Sequence, residues 1–153
     1  MIDDLYSAKI LTLVANMPRA GRLAAPDASS EKVAKLCGSK ITVDVTVADG
    51  KVVDYAQDVS ACALGQAAAA ILGQNVIGAD LSEIELARDS LVAMLKSNGS
   101  PPAGRFAELA VLEPVKDYPA RHASTLLAFE ATVEAVRQAT GVPETRTSTA
   151  GAA

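Results

Sequence analysis

Between Ile41 and Val47 the chain alternates strictly: Ile41, Val43, Val45 and Val47 are apolar, and Thr42, Asp44 and Thr46 are polar. Successive strand side chains point to opposite faces, so this two-residue period predicts a β-strand with one buried face. Asp49-Gly50 follows at once, a pair suited to the positive φ angles of a tight hairpin turn. Lys51 to Gln57 then reads as the return strand. The chain therefore builds an antiparallel hairpin with one apolar face to cover.

Helices are available to cover it. From Asp3 to Asn16 the apolar residues Tyr6, Ile10, Leu13 and Val14 fall near helical spacing, with Asp3 and Asp4 at the positive end of the helix dipole. Pro18 and Gly21 stop this helix, and its narrow apolar stripe predicts loose packing. Arg19 to Lys35 has no sustained period and reads as a connecting loop leading to Leu36-Cys37-Gly38. Ser60 is the expected N-cap of a helix over Ala61 to Gln74, which holds Cys62 and the small run Ala67 to Ala70. Asp80-Leu81-Ser82-Glu83 matches a capping box, and Ile84, Ala87, Leu91 and Leu95 form a helical stripe running to Lys96. Asn98-Gly99 and Pro101-Pro102 mark a loop from Ser97 to Gly104, and Arg105 to Leu112 fits a short helix. Leu126, Phe129, Val133 and Val136 define a last helix ending near Gly141.

Strands precede helices without the alternation that a parallel sheet requires, and no internal repeat is present, so the class is α+β. The expected architecture is a small antiparallel β-sheet with helices from Ala61 onwards packed on one face. At 153 residues the chain fits one domain over 1–141, followed by a flexible C-terminal tail, 142–153, that lacks a large apolar anchor.

Composition narrows the function classes. A net charge of -4 lacks the basic excess that binding to a phosphate backbone requires, and 3% aromatic residues offer few stacking platforms, so nucleic acid is not an expected partner. The apolar run from Ile10 to Ala15 is interrupted by Thr12 and is far too short to span a membrane. Two cysteines without a secretory segment do not make a disulfide framework, which points to the reducing cytoplasm. The acids Asp44, Asp54, Asp58, Glu83, Glu85 and Asp89 are spaced as solvated faces. With no catalytic carboxylate pair, nucleophile elbow, phosphate-binding loop or zinc-protease motif, the chain is not expected to be an enzyme.

The two thiols need another role. Cys37 ends the loop before the hairpin, and Cys62 falls in the first turn of the helix after it, so the fold can bring both to one end of the sheet. Helix N-termini favour the thiolate, the form that binds zinc or iron, which makes Cys62 the more activated candidate. The alternative is that both are small buried hydrophobes.

Five segments bear on this choice: Asp4-Leu5-Tyr6, Leu36-Cys37-Gly38, the Asp49-Gly50 hairpin, Ser60-Ala61-Cys62-Ala63-Leu64-Gly65-Gln66-Ala67, and Tyr118-Pro119-Ala120-Arg121. In this order and at these intervals, over about Asp3 to Ala139, they resemble the U-type iron-sulfur cluster scaffold family, the group of SufU, IscU and the NifU N-terminal domain. The inserted segment Pro101 to Lys116 is more similar to the SufU branch. The resemblance implies a site of three cysteines with an aspartate two residues after the first. Cys37 and Cys62 match the first two cysteines, whereas Ser39 stands at the aspartate position and Ser124 at that of the third cysteine.

On this resemblance Cys37 and Cys62 are expected to hold iron or a transient iron-sulfur cluster, with His122 and Ser124 as further candidate metal ligands. His122 also has a plain reading as an exposed or helix-capping imidazole, and Ser124 or Thr125 as a cap of the last helix. A serine hydroxyl is a poor ligand at neutral pH, so one chain is short of donors; a homodimer sharing its site, or glutathione, would supply the rest. The implied partners are a cysteine desulfurase and apo iron-sulfur target proteins. Two alternatives remain: a zinc-dependent sulfur acceptor similar to SufU, and an interaction module that binds no metal.

Overall fold

A computed structural model describes residues 7–35 and 38–141. In chain order the elements are α1 (Ala8–Ala15), β1 (Ala28–Ala34), β2 (Ser39–Ala48), β3 (Lys51–Ser60), α2 (Ala63–Asn75), α3 (Leu81–Lys96), 3-10 turns over Gly104–Asp117 and Pro119–Arg121, and α4 (His122–Thr140).

The hairpin forms as its alternation demands. β2 and β3 pair antiparallel with Ile41 opposite Val59, Val43 opposite Gln57 and Val45 opposite Tyr55, so one face carries the apolar set. Asp49 and Gly50 turn the chain with φ of 53° and 77°, the left-handed geometry that matches strand twist. Beyond Thr46 the register shifts, with Val47 opposite Val52. The extra residue, Val53, is exposed.

A third strand lies where the sequence predicts a loop. β1 pairs antiparallel with β2 from Ala28 opposite Val45 to Ala34 opposite Ser39. Its sequence, Ala-Ser-Ser-Glu-Lys-Val-Ala, has one β-branched residue, Val33, and that side chain points outward. The strand is made by what covers it rather than by its own propensity. Ser30 and Ala34 are buried, the Ser30 hydroxyl bonds to Glu134 of α4, and Lys32 lies 3.5 Å from the same carboxylate.

A second correction concerns Asp44, which the alternation places on a solvated face. The loop before β1 crosses that face and buries it: Arg22 donates through Nε at 2.7 Å and a second nitrogen at 3.0 Å, the Leu23 N–H donates at 2.9 Å, and the Ser29 hydroxyl at 2.6 Å. Burial alone would raise the Asp44 carboxyl, but the bonds from Arg22, Ser29 and Leu23 outweigh it and hold the carboxyl below its ordinary value.

The opposite face carries the core. α4 lies across β1 and β2, flanked by α2 and α3, and α1 packs on α2. Ile10 and Leu13 of α1 are buried, so this helix seats more firmly than its narrow stripe suggests. The part of that helix expected over Asp3 to Tyr6 lies outside the described residues, as does the tail 142–153. Ala67 to Ala70 are all fully buried, which lets α2 approach its neighbours closely. Large side chains fill the far side, where the Phe106 and Phe129 rings meet edge to face at 5.5 Å.

α3 starts and stops as its sequence predicts. Glu83 N donates to Asp80 at 2.9 Å and Asp80 N donates to Glu83 at 3.2 Å. Ile84, Ala87, Leu91 and Leu95 face the core. The short helix expected over Arg105 to Leu112 is instead a longer run of 3-10 turns. Gly141 ends α4 in the left-handed conformation.

Candidate functional site

One end of the sheet gathers Ser39, Cys62 and Ser124. β1 ends there, β2 begins there at Ser39, β3 ends there at Ser60, and α2 and α4 both start there. Ser60 does not cap α2 as predicted, because it is still paired in the sheet opposite Lys40. The N-cap is Cys62, with extended φ and ψ of -66° and 169° and no capping bond from its side chain. Its thiol is therefore left to face the start of α4.

There the half-buried Cys62 Sγ stands 3.3 Å from the Ser124 Oγ. Ser124 is fully buried and also lies 3.2 Å from the Arg121 carbonyl, to which Thr125 donates at 2.7 Å. Neither hydroxyl caps α4 from outside, since both lie within its first turn and bond back to the residue before the helix. Ser39 is buried at the start of β2. Gly38, Ser39, Ser60, Ala61 and Cys62 line an open pocket of about 190 Å³. The described residues that line it are small and uncharged, and Cys62 is only half-buried.

His122 is neither exposed nor a cap. The 3-10 turns fold over it, it is buried, and its Nε2 lies 3.0 Å from the Val115 carbonyl oxygen. That contact leaves Nδ1 for any further partner. Cys37, the other thiol, lies outside the described residues, although Gly38 beside it lines the pocket. Among the described residues no three of His, Cys, Asp and Glu gather where they could hold a metal ion. A larger cavity of about 330 Å³ lies between α3 and the Pro101-Pro102 loop, and it contains no thiol or imidazole.

The sequence gives no hint of one residue that shapes the site. Gly65, in the first turns of α2, sits directly against the Ser124 backbone. A helical glycine weakens a helix and signals nothing else until its neighbour is known.

Comparison with known proteins supports the fold and the family. The family model for the NifU-like N terminal domain matches residues 5–125, a span that includes Cys37, Cys62 and Ser124. The chain is similar to the iron-sulfur cluster assembly scaffold protein IscU of Thermotoga maritima, 26% identical over 134 residues, covering 88% of this chain and 94% of that one. Its fold is similar to the crystal structure of a nitrogen-fixing NifU-like protein (N-terminal) from Brucella abortus, with a TM-score of 0.90, 50% identity, and 93% and 99% of the two chains covered. A putative iron-sulfur cluster assembly scaffold protein for the SUF system from Fervidobacterium islandicum shares the fold at a TM-score of 0.80 and 20% identity, over 88% and 98% of the chains. With its three-stranded antiparallel sheet, its one-sided cover of helices and a family match over most of its length, the chain belongs to the NifU-like N-terminal domain family.

Proposed function

We propose that this protein is an iron-sulfur cluster assembly scaffold in which Cys37 and Cys62 hold iron or a transient cluster as cargo. The observation that carries the reading is the contact between Cys62 Sγ and Ser124 Oγ at 3.3 Å beside an open pocket. The thiol is thus held by one weak contact and can be reached by cargo from the pocket. Sulfur for a cluster would come from a cysteine desulfurase, and the cargo would pass to apo iron-sulfur proteins.

The donor set argues for cargo rather than a resident metal. Structural zinc takes four good donors, and serine oxygen is a weak one at neutral pH. Ser39 and Ser124 thus make a permanent zinc site within one chain a poor fit, and with it the zinc-dependent sulfur acceptor. The remaining donors for a cluster would come from a small thiol or a second copy of the chain, and His122 could add only Nδ1.

The test is anaerobic reconstitution with ferrous iron and sulfide, followed by iron and acid-labile sulfide analysis and visible absorption. The protein is expected to take up iron and sulfide together, and the Cys37→Ser, Cys62→Ser double variant to take up neither. Zinc alone would favour the sulfur-acceptor reading. Equal metal content in both proteins would sink the cysteine-held scaffold reading, and none in either would leave an interaction module.

A further inference from the structure

Glycine in a helix costs stability relative to alanine, yet Gly65 lies inside the first turns of α2. The reason is space. A Cβ at this position would stand 2.9 Å from the Ser124 carbonyl oxygen and 3.0 Å from the Ala61 Cβ. The nearer obstacle is the backbone of α4, which cannot swing aside as a side chain can. The first turns of α2 and α4 thus touch through a missing side chain, and the same close approach brings Cys62 Sγ to 3.3 Å from Ser124 Oγ.

We propose that Gly65 is a positioning residue: by lacking a Cβ it sets the separation of Cys62 and Ser124, and with it the geometry in which the site meets its cargo. This inference rests on the scaffold reading and deepens it. Gly73, about two turns further along the same helix, provides the contrast. A Cβ at Gly73 would meet Gln57 Nε2 at 2.8 Å and Pro18 Cγ at 2.9 Å, so it is equally crowded but belongs to the end of α2 away from the thiol.

The spacing can be read without any metal. In a Cys37→Ser, Ser124→Cys background the chain has two thiols, at positions 62 and 124. Phenylarsine oxide bridges two such thiols only when they are close, forming two As–S bonds as one water leaves. This background is expected to capture the arsenical stoichiometrically. Added Gly65→Ala should weaken capture about tenfold, the scale of an overpacked core contact, while Gly73→Ala lowers the melting temperature and leaves capture unchanged. If Gly65→Ala folds poorly by circular dichroism, Ala61→Gly with Gly65→Ala removes one of the two clashes and should still weaken capture. Equal capture with Gly65→Ala and with Gly65, or no capture by the background, would overturn the proposal.

Iron and sulfide loading of the otherwise native chain supplies the second readout. Gly65→Ala should lose loading and Gly73→Ala should keep it; loss in both alike would count against a positioning role. Loading that survives in the Cys37→Ser, Cys62→Ser protein would refute the scaffold reading instead, and the arsenical result would stand apart from it.

Discussion

Asp44 and Cys62 lie on the same small sheet framework and are treated in opposite ways. Asp44 is enclosed by Arg22, Leu23 and Ser29, which together bring four hydrogen bonds to its two oxygens. Among the described residues the Cys62 thiol meets one hydroxyl, at a longer distance, beside an open pocket. A buried charge whose hydrogen bonds are all made fixes the chain around it, whereas a weakly held soft donor near solvent stays available to bind. The contrast separates a residue that builds the fold from one that the fold presents.

Asp44→Ala should break the closed cluster with the largest effect. It removes a charged acceptor and strands the Leu23 N–H, so a loss of about 3 kcal/mol in urea unfolding is expected. The effect should depend on pH in a definite direction. The folded carboxyl ionises below its ordinary value, so its contribution is full above about pH 4 and fades as pH falls through the lowered folded value. The wild-type advantage over Asp44→Ala should therefore shrink in strong acid; an advantage that grows there would refute the closed-cluster account.

Tyr55→Phe gives an intermediate case. The Tyr55 hydroxyl lies 2.8 Å from Thr132 Oγ1 and 3.3 Å from Gln57 Oε1, deep between sheet and α4. Burial pushes its ionisation upward, so the phenol stays neutral at any ordinary pH. Thermal or urea unfolding should show a loss of about 1 kcal/mol, the net worth of a neutral buried bond. Ser124→Ala should cost least, about 0.5 kcal/mol, because Thr125 still serves the Arg121 carbonyl and a thiol is a weak donor. Iron loading should nonetheless fall in Ser124→Ala and remain normal in Tyr55→Phe. A stability loss for Ser124→Ala as large as that for Asp44→Ala would erase the distinction between the two regions.

What could be read from the sequence follows from the range of the interactions. The β2–β3 hairpin and the capped start of α3 are encoded by neighbours in the chain: strict alternation and Asp49-Gly50 for one, Asp80 and Glu83 for the other. β1 was not legible, because Ala28 to Ala34 becomes a strand only when β2 lends an edge and α4 a cover. Asp44 obeys the alternation, yet it is buried by a loop whose path no local pattern predicts. At the site, Cys62 was recognised by its segment, but its place as N-cap depends on β3 continuing through Ser60. The role of Gly65 needs Ser124, which is remote in sequence, and the burial of His122 needs Val115.

The free edge of β3 has a consequence for how the chain behaves in a crowd. Gln57 exchanges bonds of 2.9 and 2.8 Å with Arg19 and Gly21, and Val52 does the same with Ala79 and Gly78 at 2.9 and 2.8 Å. The outward backbone groups at both ends of the strand are thus already taken by the chain itself. A second molecule trying to add a strand there must first peel away two segments. Intermolecular sheet growth, the usual hazard of an exposed strand, is left to the β1 edge, where Glu31 and Lys32 put a charge on each face of the strand and discourage a stray apolar strand.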